Sequence, residues 1–225
     1  MLRYKGAIFD LDGTLLNTVA DLGDSVNAAL EELGYPPHSE EDYKKKIGHG
    51  FRNLIEVSLP EGVADDTLIE KGLELFLKAY DERYRNKTRP YDGMVGLVAS
   101  LLNSGVILGV NSNKRNDYTR TLISDFFPED SFIAVFGERA GIPKKPDPMT
   151  ALEIAAIMGL KPEEIVYIGD TATDIQTGKN AGMDTIGVSW GFRGRTELER
   201  SGARFVVDLP ERIPEIITGK TVAEV

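Results

Sequence analysis

The sequence predicts an α/β protein: a doubly wound parallel sheet, Rossmann-like in its core, with an inserted all-helical cap domain. Three observations carry that expectation. Short apolar strands alternate with helical segments from residue 88 onward, a lone strand of the same kind stands at residues 5–10, and residues 19–87 between them hold helical spacing without a strand. Alternation of this sort places parallel strands side by side with crossover helices on both faces. The chain therefore divides into an α/β core, residues 1–16 and 88–225, and a helical insertion, residues 17–87.

The elements follow in order. Residues 5–10 (KGAIFD) are a short buried strand that ends on an aspartate. From Val19 the period changes: Val19, Leu22, Val26, Leu30 and Leu33 recur at helical spacing, and Gly34 with Pro36 and Pro37 ends that helix. Further helices are expected over 39–47, 51–58 and 64–85, separated by "GHG" and "LPEG". After "TRPYDG" the alternation resumes with a helix over 94–103, the strand VILGV at 106–110, a helix near 115–125 and the strand SFIAVF at 131–136. A helix over 149–158, the strand EIVYIGD at 164–170, a helix near 174–181, the strand DTIGVS at 184–189, a weaker strand at 204–207 and a closing helix at 210–217 complete the chain.

Bulk properties narrow the function. With 225 residues, 41% of them hydrophobic, the chain can bury a full core, and with no cysteine it has neither disulfides nor thiolate metal sites, which fits a reducing compartment. Asp10 and Asp12 interrupt the first apolar stretch, so it is not a secretory signal, and no run reaches membrane-spanning length. A cytoplasmic protein with no membrane partner is expected. The net charge of −10, from 36 acidic and 26 basic residues, argues against nucleic acid, which needs clustered lysine and arginine. Any phosphate site must be made locally, by a metal or a few placed lysines.

Ligands of open parallel sheets bind in the crevice beyond the carboxyl ends of the strands. The residues just past each strand therefore form one candidate constellation. The first strand contributes Asp10 and Asp12, followed by Gly13 and Thr14; the second contributes Ser112, Asn113 and Lys114; the third leads to Lys144 and Lys145; the fourth contributes Asp170 and Asp174. Each has a plainer reading by itself: a solvated turn, a loop hydroxyl, a surface lysine, a helix N-cap. Together, carboxylates, a hydroxyl and a lysine at one sheet edge suit a hard cation and a phosphoryl group.

In order, "DLDGT", "NSNK", "KPDP" and "GDTATD" resemble the four motifs of the haloacid dehalogenase superfamily of hydrolases, over essentially the whole chain. Within it, "TRPYDG", "IGHG" and "SGARFVVDLPERIPEII" look most like phosphoglycolate phosphatases. The resemblance implies that Asp10 is the nucleophile that becomes an aspartyl phosphate and Asp12 the general acid and base. It implies that Ser112 and Lys145 hold the phosphoryl oxygens, Lys145 rather than Lys144 because it adjoins Pro146. It also implies a Mg²⁺ ion held by Asp170, Asp10 and the backbone carbonyl of Asp12, with Asp174 binding or supporting it. Gly13, Thr14 and Asn113 are expected at the substrate.

Elementary chemistry agrees with these roles. A cation and a lysine beside Asp10 let it stay ionised near a second carboxylate and an incoming phosphate. Residues two apart on an extended segment share a face, so Asp12 can reach the leaving group of a phosphate attacked by Asp10. Halide displacement needs no proton, and family dehalogenases lack an acid at this position, so Asp12 favours phosphate esters. Gly13 is expected to let the backbone approach the phosphate.

In "IGHGFRN", His49 and Arg52 are candidates for a substrate carboxylate, with a loop histidine and a solvated helix charge as the plainer alternatives. His38 is expected at the surface, Trp190 in plain packing, and Arg193 and Arg195 are left without a role. The leading expectation is a Mg²⁺-dependent phosphatase, monomer or homodimer, acting on a small phosphorylated metabolite, 2-phosphoglycolate first. Pyrophosphate, a sugar phosphate or a nucleotide as substrate, a sugar-phosphate mutase, and an aspartate phosphoacceptor signalling module are the alternatives.

Overall fold

The structure is a computed structural model that describes residues 2–219. The chain forms two compact units, one comprising Met1–Leu16 with Pro90–Val225 and the other Asn17–Arg89.

The first unit is built on six parallel strands: β1 (Gly6–Phe9), β4 (Ile107–Arg115), β5 (Ala134–Glu138), β6 (Ile165–Gly169), β7 (Asp184–Val188) and β8 (Phe205–Val207). Two short strands, β2 (Leu16–Asn17) and β3 (Arg89–Pro90), form a separate pair. The six-stranded order is β5-β4-β1-β6-β7-β8. From β1 the chain builds outward through β4 to β5, then returns to the other side of β1 for β6, β7 and β8. The order thus reverses at β1, and the crevice of a doubly wound sheet lies at such a reversal, beyond the carboxyl ends of the flanking strands. Strand β1 pairs with β4 on one side and β6 on the other, and it is buried along its whole length.

Helices cover this sheet: α5 (Met94–Asn103), α6 (Asn116–Phe126), α7 (Met149–Met158), α8 (Ala172–Asn180), α9 (Arg195–Arg200) and α10 (Ile213–Ile217). Ala151, Ile154, Ala155 and Met158 of α7 form a core cluster with Ile8, Ile165 and Tyr167 of the sheet. Ile175 of α8 forms a second cluster with Leu198, Ala203 and Val206.

Several boundaries differ from those the sequence predicts. Strand β4 runs five residues past its apolar stretch, through the whole of "NSNKR". The polar end still finds partners on β5, Asn111 opposite Phe136 and Arg115 opposite Glu138, but four residues advance on β4 for two on β5. That bulge detaches the motif from regular pairing. Strand β5 begins at Ala134, three residues later than expected, because Ser131 closes a turn through its hydroxyl to Pro128 O. Helix α9 is absent from the sequence expectation: it is six residues long and buries only Leu198, too little for an apolar period. The closing segment splits into a 3₁₀ turn, Pro210–Arg212, and α10.

The second unit is helical: α1 (Val19–Leu33), α2 (Glu40–Lys46), α3 (Phe51–Glu56) and α4 (Asp66–Arg83). Val19, Leu22, Val26, Ala29 and Leu30 of α1 are buried, and Phe51, Phe76 and Tyr80 form an aromatic cluster between α3 and α4. His38, expected at the surface, is half-buried and its Nε2 donates to Ser58 O at 2.8 Å. No helix among the described residues is long and apolar enough to cross a membrane.

Asp21 ties the two ends of the helical unit together. Its buried carboxylate, in the first turn of α1, accepts from the backbone N–H of Lys87 (3.0 Å), the N–H of Thr88 (2.8 Å) and the Thr88 hydroxyl (2.8 Å). Replacing it with alanine orphans three donors, and an unmet buried donor costs roughly 1–3 kcal/mol. Asp21→Ala should lower stability by about 2–4 kcal/mol in urea denaturation, while Asp24→Ala, which removes an exposed ion pair with Lys87, should change it by less than about 1 kcal/mol.

Candidate active site

The carboxyl ends of β1, β4 and β6 bring one charged cluster together. Asp10 follows β1 and its N–H donates to Ile168 O at 2.9 Å, continuing the β1–β6 pairing one residue further. Asp170 follows β6. Thr171 then N-caps α8, with Asp174 as the third helical residue in a reciprocal capping box: the Thr171 hydroxyl accepts from Asp174 N, while Asp174 Oδ2 accepts from Thr171 N and Oγ1 at 3.1 and 2.7 Å. Asp10, Asp170 and Asp174 are all buried, and each presents a carboxylate oxygen within 4.8 Å of the other two.

Lys145 bridges two members of this trio. Its Nζ lies 2.7 Å from Asp10 Oδ1 and 2.7 Å from Asp174 Oδ1. The loop that carries it is fixed by Asn113, whose amide donates to Lys145 O at 3.2 Å and accepts from Lys145 N at 2.9 Å. The neighbouring Lys144 instead pairs with Glu138 at the surface.

One ammonium against three buried carboxylates leaves the cluster short of positive charge. Burial, and then the charge of Asp174, push the Asp10 carboxyl up to about 7 despite Lys145. Burial, followed by Asp174 and Asp10, also raises Asp170 well above the carboxylate range. Burial works against the Lys145 ammonium, yet Asp10 and Asp174 hold its pKa well above the ordinary lysine value. Three converging hard oxygen donors with unmet negative charge are the environment a small divalent cation relieves.

The residues after Asp10 build the floor. Gly13 sits at φ +89°, and a Cβ there would meet Asp170 Oδ2 at 2.3 Å, so the close approach its glycine permits is to the Asp170 carboxylate. Thr14, expected at the substrate, is fully buried and its hydroxyl donates to Asp170 Oδ1 at 3.2 Å. Asn113 likewise turns its amide to the Lys145 backbone. Ser112 is buried and its Oγ accepts from Lys114 N at 3.2 Å. Asp12 is partly exposed, and its carboxylate accepts from Lys114 Nζ at 3.0 and 3.3 Å.

In the helical unit His49 is exposed, and the exposed Arg52 guanidinium bonds Glu70 Oε1 and Asp66 Oδ1. Those two ion pairs occupy the fork offered to a substrate carboxylate.

Two contributions were not read from the sequence. One is Lys114, named at its strand end without a role. The other is the loop after β7, where Phe192 N–H donates to Asp170 Oδ2 at 2.7 Å and the Trp190 indole donates to Thr14 O at 3.1 Å. A Cβ at Gly191 would lie 2.3 Å from Asp170 Cβ and 2.4 Å from Gly13 O. The glycine of "SWGFRG" was the available signal. Arg193 and Arg195 pair with Glu197 and with Glu199 and Asp208.

Two outcomes are expected. The fold raises the Asp10 carboxyl to about 7, above an unfolded value near 4, so the native state binds more protons than the unfolded state between those values. Stability of the metal-free protein should therefore fall as pH rises from about 4 to about 7 and stay low above. A divalent cation that binds the trio, present at about 100 times its Kd, should return about 2.7 kcal/mol, which thermal unfolding across pH with and without Mg²⁺ measures. Gly191→Ala, by displacing Asp170, should weaken the binding of such a cation at least about tenfold, on the scale of lost support for a metal ligand, as the cation-dependent shift in thermal unfolding measures.

Comparison with known proteins gives a consistent assignment. The family model described as haloacid dehalogenase-like hydrolase matches residues 7–188. A phosphoglycolate phosphatase from Psychrobacter arcticus is 34% identical over 191 residues, 82% of this chain and 83% of the relative. An N-acetylmuramic acid 6-phosphate phosphatase from Pseudomonas aeruginosa is 29% identical over 96% of each chain. A crystal structure from Lactobacillus delbrueckii subsp. bulgaricus, provisionally named as a phosphoglycolate phosphatase, superimposes with a TM-score of 0.91 at 36% identity, covering 96% of this chain and 99% of that one. The four motifs, the parallel sheet that carries them and the family match lead to one statement: the chain belongs to the haloacid dehalogenase-like hydrolases.

Proposed function

We propose that this phosphatase is a Mg²⁺-dependent, cytoplasmic enzyme that hydrolyses 2-phosphoglycolate through a phosphorylated Asp10. The observation that carries the reading is the buried group of Asp10, Asp170 and Asp174 around Lys145, with Asp12 two residues beyond the nucleophile. Asp10 and Asp170, with the backbone carbonyl of Asp12 and support from Asp174, are the residues that would hold the cation. When bound, it offsets the charge of the carboxylates and of the phosphoryl group.

Asp10 then attacks phosphorus with one carboxylate oxygen. The bond to the leaving oxygen breaks, its electron pair goes to that oxygen, and the proton of Asp12 joins it to give the free alcohol. In the second half a water oxygen attacks phosphorus and gives its proton to the Asp12 carboxylate. The acyl phosphate bond breaks with its pair returning to Asp10, which releases phosphate. Ser112 Oγ and Lys145 Nζ hold the equatorial oxygens in both steps. His49 and Arg52 of the helical unit are the groups offered to the glycolate carboxylate, Arg52 after exchanging Asp66 and Glu70 for it.

The P. arcticus relative supports phosphoglycolate, and the P. aeruginosa relative supports a bulkier substrate. Both named substrates carry a carboxylate besides the phosphate. The test is phosphate release, with and without Mg²⁺, from 2-phosphoglycolate, N-acetylmuramic acid 6-phosphate, pyrophosphate, glucose phosphates and a nucleoside monophosphate. A Mg²⁺-dependent preference in kcat/KM for 2-phosphoglycolate is expected; preference for another substrate removes the substrate assignment. A long-lived phosphoprotein without turnover removes the phosphatase mechanism. Asp10→Asn should abolish turnover, and Lys145→Ala should cost about 10²–10³ in rate. Lys144→Ala should cost less than about threefold, since losing an exposed ion pair contributes little.

A further inference from the structure

We propose that Lys114 is a positioning residue that fixes the Asp12 carboxylate for proton transfer. The inference rests on the acid and base role given to Asp12 above. Lys114 Nζ donates to both oxygens of Asp12, at 3.0 and 3.3 Å, so it straddles the carboxylate instead of taking one edge. The Lys114 side chain is fully buried, whereas that of Asp12 is 12% exposed. The ammonium is therefore committed to the interior, which is costly for a lysine without an anionic partner.

The other end of Lys114 is equally fixed. Its carbonyl oxygen accepts from the buried Thr119 hydroxyl at 3.1 Å, and its N–H donates to Ser112 Oγ. Gly137 of β5 passes so close that a Cβ there would come within 2.3 Å of that carbonyl oxygen. A four-carbon stem anchored at its root and paired at its tip has few rotamers left, and it passes that restriction to Asp12.

The need is electrostatic. Asp12 lies two residues beyond Asp10, and the two carboxylates repel each other. Lys145 is taken by Asp10 and Asp174, so a second cation is required to hold Asp12 where one oxygen faces the leaving group and later the water. The motif "NSNK" therefore supplies three supports in sequence: Ser112 for the phosphoryl group, Asn113 for the Lys145 loop and Lys114 for the acid.

The test is kinetic and uses the full chain. Lys114→Met should lower kcat on 2-phosphoglycolate, or whichever alkyl phosphate the wild type prefers, by about 10²-fold, the lower end for losing a general acid. KM and the Mg²⁺ dependence should stay within about threefold, because the phosphoryl and cation ligands are untouched. The kcat/KM for p-nitrophenyl phosphate, whose leaving group departs without a proton, should fall at least about tenfold less than that for the alkyl phosphate. In the Asp12→Asn background Lys114→Met should cost less than about threefold more.

Losses that multiply in the double variant, or equal losses on both substrates, would overturn the proposal. Should Lys114→Met fail to fold by circular dichroism, Lys114→Arg replaces it. That variant keeps the charge with a shifted head group. It should slow the reaction at least about fivefold with Asp12 present and leave the rate of the Asp12→Asn variant unchanged. Equal effects in the two backgrounds overturn the proposal as well. A wild type that hydrolyses no phosphomonoester removes the phosphatase reading together with this one; an active wild type with the wrong pattern removes this one alone.

Discussion

Mutual repulsion among Asp10, Asp170 and Asp174 is the constraint around which this molecule is arranged. Three buried carboxylates with oxygens within 4.8 Å of one another are unstable unless something positive joins them. Almost every local feature of the site either supplies positive character or holds the carboxylates against their tendency to separate. Lys145 supplies charge. Thr14, Phe192 N–H, Thr171 and the start of α8 supply oriented donors. The bulge at the end of β4 brings a second lysine to the fourth carboxylate, Asp12. Hydrophobic packing of α7 and α8 against the sheet provides the rigid frame that makes such crowding tolerable.

Much of this was legible in the chain. The onset of helical spacing at Val19 and the return of strand–helix alternation after residue 88 set the helical insertion apart, because Gly34, Pro36 and the "TRPYDG" stretch punctuate where the backbone turns. The carboxylates of the cluster were legible because they follow apolar runs that can only be buried strands, and a doubly wound sheet sends all such ends to one crevice. The resemblance of the four motifs added roles that spacing alone does not give.

What was not legible depends on tertiary packing. Thr14 and Asn113 looked like substrate contacts because they flank catalytic motifs. Their polar atoms instead satisfy other parts of the protein, Asp170 and the Lys145 backbone, and only coordinates reveal which of two neighbours a hydroxyl or amide serves. Lys114 was visible but had no partner in sequence, since Asp12 is far away along the chain. The loop after β7 carried a weaker clue. A glycine between two aromatics marks close approach only once it is known what approaches, which here is Asp170 on one side and Gly13 on the other. The partners of Arg52 were likewise hidden in the sequence, since the guanidinium is engaged by Asp66 and Glu70 on its own unit.

Asp174 has a consequence of a different kind. One of its oxygens closes the capping box of α8 and the other takes the Lys145 ammonium. A single side chain thus serves as both the first fastening of a helix and a wall of the charged cluster. Any change in the charge it faces must alter the polarity of the Thr171 amide bond it accepts from, so the first turn of α8 acts as a built-in electrometer. An observer following nothing but the amide resonance of Thr171 would be watching the electrostatic state of the charged cluster.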